Sequence, residues 1–128
     1  MRNVLFTMLA GMTLLACTPD SPESFDRQIA ADAMVIDVRT AEEFALGHYP
    51  GAINIPHEQI VEGLAARSVS LDTPLALYCR SGNRSGRAVE ALRTAGFSQL
   101  QNAGDLQTLL DIHHRTMTVP TEAMRYIQ

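Results

Sequence analysis

The chain has no lysine, no tryptophan and only two cysteines in 128 residues. Without lysine, lysine Schiff-base chemistry and a catalytic lysine amine are excluded, and all ten basic residues are arginine. A basic face is also missing. The net charge of −4 argues against a nucleic-acid partner, because such proteins must neutralise phosphates over a broad surface. Any anion site must therefore be local. There is no internal repeat and no long polar or low-complexity tract. With 46% hydrophobic and 19% charged residues, the composition is that of one globular domain, and a second has no room.

The first residues read as a targeting segment. Arg2 supplies a positive start, and Val4 to Ala16 is an apolar stretch ending in small residues. It falls short of the ~20 residues a membrane-spanning helix needs, so residues 1–16 are expected to be an export signal. Leu14-Leu15-Ala16-Cys17 resembles a bacterial lipobox, which implies acylation of Cys17 and attachment to a membrane. Ordinary cleavage after Ala16 is the alternative. Thr18 stands where an aspartate would retain a lipoprotein at the inner membrane, so the expected location is the cell envelope, facing the periplasm from the outer membrane. Residues 17–24 form the anchor and a polar, Pro-containing linker, leaving 25–128 as the folded domain.

Cysteine use then becomes informative. Exported chains mostly pair their cysteines, and if Cys17 is lipidated, Cys79 has no internal partner. A buried cysteine acting as a small hydrophobe is the plain alternative, but the surrounding residues, Tyr78-Cys79-Arg80-Ser81-Gly82-Asn83-Arg84-Ser85-Gly86, argue for a reactive thiolate.

Met34 to Val38 is a β-branched apolar run that predicts a buried strand. Thr40-Ala41-Glu42-Glu43 is a capping-box pattern that opens a helix ending near Gly47. Ala52 to Ile55 predicts a second strand closed by Pro56, and a helical stretch follows at 58–66. Leu75 to Tyr78 predicts a third strand, succeeded by the cysteine loop. Next comes a helix over about 85–95, with Ala88, Val89, Ala91, Leu92 and Ala95 as its apolar face. Phe97 to Gln101 suggests a last strand, and Leu106, Leu109 and Leu110 form a stripe on a helix opened by Asp105. No element is assigned to the tail from Thr116. Strands alternating with helices predict an α/β fold with a mainly parallel sheet covered on both faces.

In such folds, sites form beyond the carboxyl ends of strands. Cys79 stands at such an end before a helix, a position expected to expose it. Gly82 and Gly86 allow successive amides to converge on one anion. The first such anion is the thiolate itself, whose pKa falls from about 8.5 at a helix N-terminus or near arginine. Arg80 and Arg84 are read as loop residues able to hold an oxyanion through paired N–H donors, whereas Arg87 and Arg93 are read as a solvated helix face. His48, His57, His113 and His114 have no ligand-like spacing, so no metal site is expected.

Several separated segments together resemble the single-domain rhodanese family of thiosulfate sulfurtransferases, in particular its exported, periplasmic phage-shock-type members. The likeness covers most of residues 25–113. Asp37-Val38-Arg39 with Glu42-Glu43-Phe44 resembles one family block, Gly47 to Pro56 a second, and Tyr78 to Ser85 the active loop. The resemblance implies a three-layer rhodanese-like fold. It also implies ping-pong transfer of sulfur from thiosulfate to cyanide or a thiol through a persulfide on Cys79, without metal or organic cofactor. Arg80, Ser81, Gly82, Asn83, Arg84 and Ser85 would bind the substrate anion. Asp37 and Arg39 would order the loop, and His48 would hydrogen-bond the turn. A monomer is expected. The chain departs from the family in having one glycine in Asn102-Ala103-Gly104-Asp105-Leu106 and no tryptophan nearby.

Two rivals remain. Cysteine phosphatases also cradle a thiolate, but they resemble Cys-x5-Arg with a preceding histidine, whereas here Arg80 to Asn83 separate Cys79 from Arg84 and Tyr78 precedes the cysteine. A non-catalytic persulfide carrier or sensing module of the envelope is the other.

Overall fold

The computed structural model describes residues 29–117. The expected signal segment, Cys17, the linker and most of the tail lie outside them. Four parallel strands, β1 (Met34–Asp37), β2 (Ile53–Asn54), β3 (Leu75–Cys79) and β4 (Leu100–Asp105), form one sheet in the order β2-β1-β3-β4. Helices α1 (Ala41–Ala45), α2 (Ile60–Ala66, entered through a 3-10 turn at His57–Gln59), α3 (Asn83–Thr94) and α4 (Leu106–Met117) link or follow the strands.

Alternation along the strands sorts the core into two layers. Ile36, Leu75, Leu77 and Cys79 face one way and pack with Ile60 and Leu64 of α2 and Ala88, Val89 and Leu92 of α3. Val35, Ala76, Tyr78 and Ala103 face the other way, against Phe44 of α1 and Leu106 and Leu109 of α4. The molecule is thus a three-layer α/β fold.

Two boundaries and one helix face differ from the sequence expectation. The cysteine helix begins at Asn83 rather than near Ser85. Its buried stripe is Ser85, Ala88, Val89 and Leu92, while Ala91 and Ala95 are exposed, because at about 100° per residue they fall at the flank of that stripe rather than on it. β4 lies at Leu100–Asp105 rather than 97–101. Its register against β3 slips between Leu77 and Tyr78, so that Tyr78 pairs with Gly104. Gly104 takes φ 84° at this bulge, a conformation that glycine adopts without strain. One glycine is therefore enough here, and Ala103 fills a core position.

The chain runs from β1 outward to β2 and then returns to the far side of β1 as β3. The strand order thus reverses between β1 and β3, and the crevice beyond their carboxyl ends is where such sheets bind ligands.

Candidate active site

β3 ends on Cys79, and Arg80, Ser81 and Gly82 join it to α3. So short a connection requires a sharp reversal. Gly82 provides it at φ 88°, where a side chain would be strained and a Cβ would lie 3.4 Å from the Gly104 Cα. The turn brings the Gly82 N–H to the Cys79 Sγ at 3.0 Å, and the Ser85 Oγ lies 3.6 Å from the same sulfur. Burial pushes the Cys79 thiol up. The backbone amides of Ser85, Ser81 and Gly82 oppose it, and the pKa lies below that of an ordinary cysteine. Fixed N–H donors stabilise the charged sulfur more than the neutral one.

One expectation is corrected. The strand end does not expose Cys79, which has 0% of its surface accessible. The connection is too short to swing clear, so it turns back over the sulfur.

Ser85, in the first turn of α3, is buried and donates to Asn102 Oδ1 at 2.7 Å. Asn102 on β4 also accepts from the Gly104 N–H at 3.0 Å and donates through Nδ2 to the Gly82 carbonyl at 3.1 Å. One side chain thereby ties the bulge to the end of the cysteine loop and to the first turn of α3. Nothing in the sequence marked Asn102, because its role depends on a bulge that pairing alone creates.

Arg84 also departs from expectation. It belongs to the first turn of α3 rather than the loop, and its guanidinium forks onto Glu43 at 2.8 and 3.0 Å. Glu43 in turn accepts from the Thr40 amide at 2.9 Å within the capping box of α1. Arg84 first, and the Thr40 amide after it, hold the Glu43 carboxyl down to about 2. Arg84 therefore braces the loop against α1 while its charge still reaches Cys79. Arg80 is exposed and makes no hydrogen bond or ion pair among the described residues. Ser81 contributes its amide, and Asn83 is exposed at the first position of α3. Arg87 is exposed, and Arg93 is exposed and paired with Glu90.

Asp37 and Arg39 form a closed network at the neighbouring strand end. Arg39 Nε lies 2.9 and 3.0 Å from the Asp37 oxygens, and its terminal nitrogen lies 2.6 Å from Oδ2 and 2.7 Å from the Gly47 carbonyl. The Tyr78 hydroxyl donates to Asp37 at 2.7 Å and accepts from the Tyr49 amide at 2.9 Å. Asn54 closes the rim by donating to the Asp37 and Arg39 carbonyls. Sequence reading found the Asp37–Arg39 pair but missed Tyr78 and Asn54, whose partners are remote in the chain. His48 stacks on Phe44 at 3.8 Å, and its Nδ1 lies 3.1 Å from the Phe44 carbonyl, at the end of α1.

Over the β1–β3 crevice opens a cavity of about 630 Å³, with Arg39, Glu43, His48 and Arg80 among its polar walls and Leu46 and Leu106 among its apolar ones. The loop holds the Cys79 sulfur on fixed amides, and Arg80 places an unpaired guanidinium on the cavity wall.

The Rhodanese-like domain family matches residues 21–108. Thiosulfate sulfurtransferase PspE of Escherichia coli (strain K12) is 36% identical over 74 residues, which cover 58% of this chain and 71% of that protein. Thiosulfate sulfurtransferase GlpE of Pseudomonas paraeruginosa is 34% identical over 80 residues, 62% of this chain and 71% of that protein. Among solved structures, a rhodanese with anions from E. coli superposes with a TM-score of 0.56 at 36% identity, covering 59% of this chain and 88% of that one. The human single-domain sulfurtransferase TSTD1 gives 0.54 at 29% identity, covering 62% and 82%. The chain therefore belongs to the rhodanese family, and is a single-domain rhodanese, an enzyme of the sulfurtransferase class.

Proposed function

We propose that the protein moves the outer sulfur of thiosulfate, or of a similar sulfane donor, to cyanide or a thiol through a persulfide on Cys79. In the first half-reaction the thiolate attacks the outer sulfur of thiosulfate. A Cys79 Sγ–S bond forms, the donor's S–S bond breaks, and its electron pair leaves on sulfite. In the second, cyanide attacks the outer persulfide sulfur, the Sγ–S bond breaks, and the pair returns to Sγ as thiocyanate departs. Charge balances in both steps.

The observation that carries this reading is the Cys79 sulfur with the Gly82 N–H aimed at it from 3.0 Å and a lowered pKa. Donors fixed on a sulfur anion stabilise thiolate and persulfide alike without reorganising. Arg80, unpaired on the cavity wall, suits the sulfonate end of thiosulfate, and Arg84 keeps the loop in shape. Steady-state rates with thiosulfate and cyanide varied together test the scheme. Parallel double-reciprocal lines are expected, and no thiocyanate above that of the Cys79→Ser variant would refute it.

The enclosure of Cys79 supports a second reading, a persulfide carrier or sensor that shields its sulfur. A single stoichiometric release with no sustained turnover would favour it. Hydrolysis of an aryl phosphate without thiosulfate turnover would favour a phosphatase instead.

Attachment to the envelope through an acylated Cys17, as a periplasm-facing outer-membrane lipoprotein, is a separate proposal drawn from sequence. Cys17→Ala is expected to release the protein from the membrane fraction, and an unchanged distribution would sink the idea.

A further inference from the structure

We propose that a second cavity, at the amino ends of β3 and β4, seats the chain's own segment 24–28 with the Phe25 ring inside it, gripping the domain at the pole opposite Cys79. The proposal is independent of the sulfur chemistry.

The cavity holds about 350 Å³, with Ala30, Ala33, Pro74, Leu75, Ser98 and Leu100 among the residues that line it and no charged side chain on its walls. The backbone around it is pinned, since the Leu75 N–H donates to the Gln99 carbonyl and the Met34 N–H to the Pro74 carbonyl, each at 2.9 Å. Such a volume is at the small end of ligand-sized sites and suits an aromatic side chain. Uncharged, largely apolar walls call for an apolar occupant.

The place where the chain enters the domain points to that occupant. Ile29 already packs against the core layer of Ala76 and Tyr78, and Ala30 and Ala33 are themselves walls of the cavity. Phe25 stands five residues before Ala30, a reach of at most ~17 Å. The family match begins at residue 21, so the domain pattern runs through Phe25 instead of starting at β1.

Composition singles out the residue. Among residues 18–28, Phe25 is the one large apolar side chain in a run of polar residues and prolines, and an aromatic ring left in water forgoes a large burial gain. The tail 118–128 also carries apolar side chains, Met124, Tyr126 and Ile127, but the family match ends at residue 108 and no residue of α4 lines the cavity.

Leu75 and Cys79 are the two ends of β3. A segment held at the Leu75 end leaves residues 18–24 between Cys17 and the domain, a span of at most ~25 Å. With Cys17 acylated as proposed above, that short tether leaves from the pole opposite the cysteine loop, which turns the loop away from the bilayer and towards soluble donors and acceptors.

The chain has no tryptophan, so Phe25→Trp in the full chain supplies a single indole reporter. Its emission is expected to lie to the blue of its value in denaturant and to resist acrylamide quenching. Adding Ala30→Asp, on an exposed wall residue, should move both readings towards the denatured values. Phe25→Ser should lower the Tm by roughly 5–15 °C, and Phe25→Leu by much less. Alkylation of Cys79, mapped by mass, should keep its wild-type rate in every variant, with circular dichroism showing that each one folds. An indole as exposed in the folded protein as in denaturant would overturn the proposal, and so would a Tm that Phe25→Ser leaves unmoved. A Tm loss on removing residues 118–128, with none from Phe25→Ser, would give the cavity to the tail and overturn it equally. A changed alkylation rate in a folded variant would contradict a segment confined to the far pole.

Discussion

Two polar networks sit at neighbouring strand ends in this protein, and they use charge in opposite ways. At the end of β1, Asp37 and Arg39 satisfy each other, and Tyr78 and the Gly47 carbonyl take up what remains. At the end of β3, Cys79 has no cationic side chain bonded to it. Backbone amides lower its pKa, and the network reaches the surface through Ser85 and Asn102. The first network is sealed and holds shape. The second favours the thiolate form of a nucleophile and leaves it uncommitted, which is what a group that must form and break a bond requires.

The comparison can be broken at either end. The largest effect is expected from Asp37→Asn, which leaves Arg39 buried without its counter-charge. Denaturant unfolding should show a loss of about 3–5 kcal/mol, and a loss below about 1 kcal/mol would mean that the network is not sealed. Next comes Gly82→Ala, which forces a side chain into a left-handed conformation against Gly104. About 1–3 kcal/mol of stability should go, and the alkylation midpoint of Cys79 should rise as the Gly82 amide is displaced. An unmoved midpoint would remove Gly82 from thiolate stabilisation. Asn102→Asp sharpens the second network alone. It keeps an acceptor for Ser85, loses the donor to Gly82 and adds a like charge. The midpoint should again rise, with alkylation at neutral pH slowed roughly tenfold.

The smallest effect belongs to Glu43→Gln. Glutamine can still serve the capping box, so the change isolates the half-buried pair with Arg84. At neutral pH the expected loss is about 0.2–1 kcal/mol. The pH dependence is more telling. Because the folded state holds Glu43 at about 2, below its ordinary value of 4.5, its contribution is complete above that ordinary value and disappears as pH falls towards 2. Acid unfolding curves of the two proteins should therefore converge across that window, and a constant gap would contradict the pairing.

What could be read from the sequence was what neighbours in the chain decide. The Thr40–Glu43 capping box, β1, β3 and the cysteine at a strand end all follow from local pattern. So does the opening of α4, where Asp105 Oδ1 accepts from the Thr108 amide at 2.9 Å. What escaped depends on partners far apart: Arg84 with Glu43, Tyr78 with Asp37, and Asn102 across the bulge to Ser85. β4 was expected a few residues too early, at 97–101, because its polar sequence, Leu-Gln-Asn-Ala-Gly-Asp, carries little strand signal, and pairing with β3 overrides that propensity. The burial of Cys79 escaped because position at a strand end says where a residue lies, not how tightly the following turn closes over it.

The central claim is that Cys79 is the sulfur-accepting nucleophile. Intact mass of the purified protein after incubation with thiosulfate tests it most directly. A gain of one sulfur atom is expected, mapped to Cys79, absent from Cys79→Ser and removed by cyanide. No gain in the wild type, or an equal gain in Cys79→Ser, would contradict it.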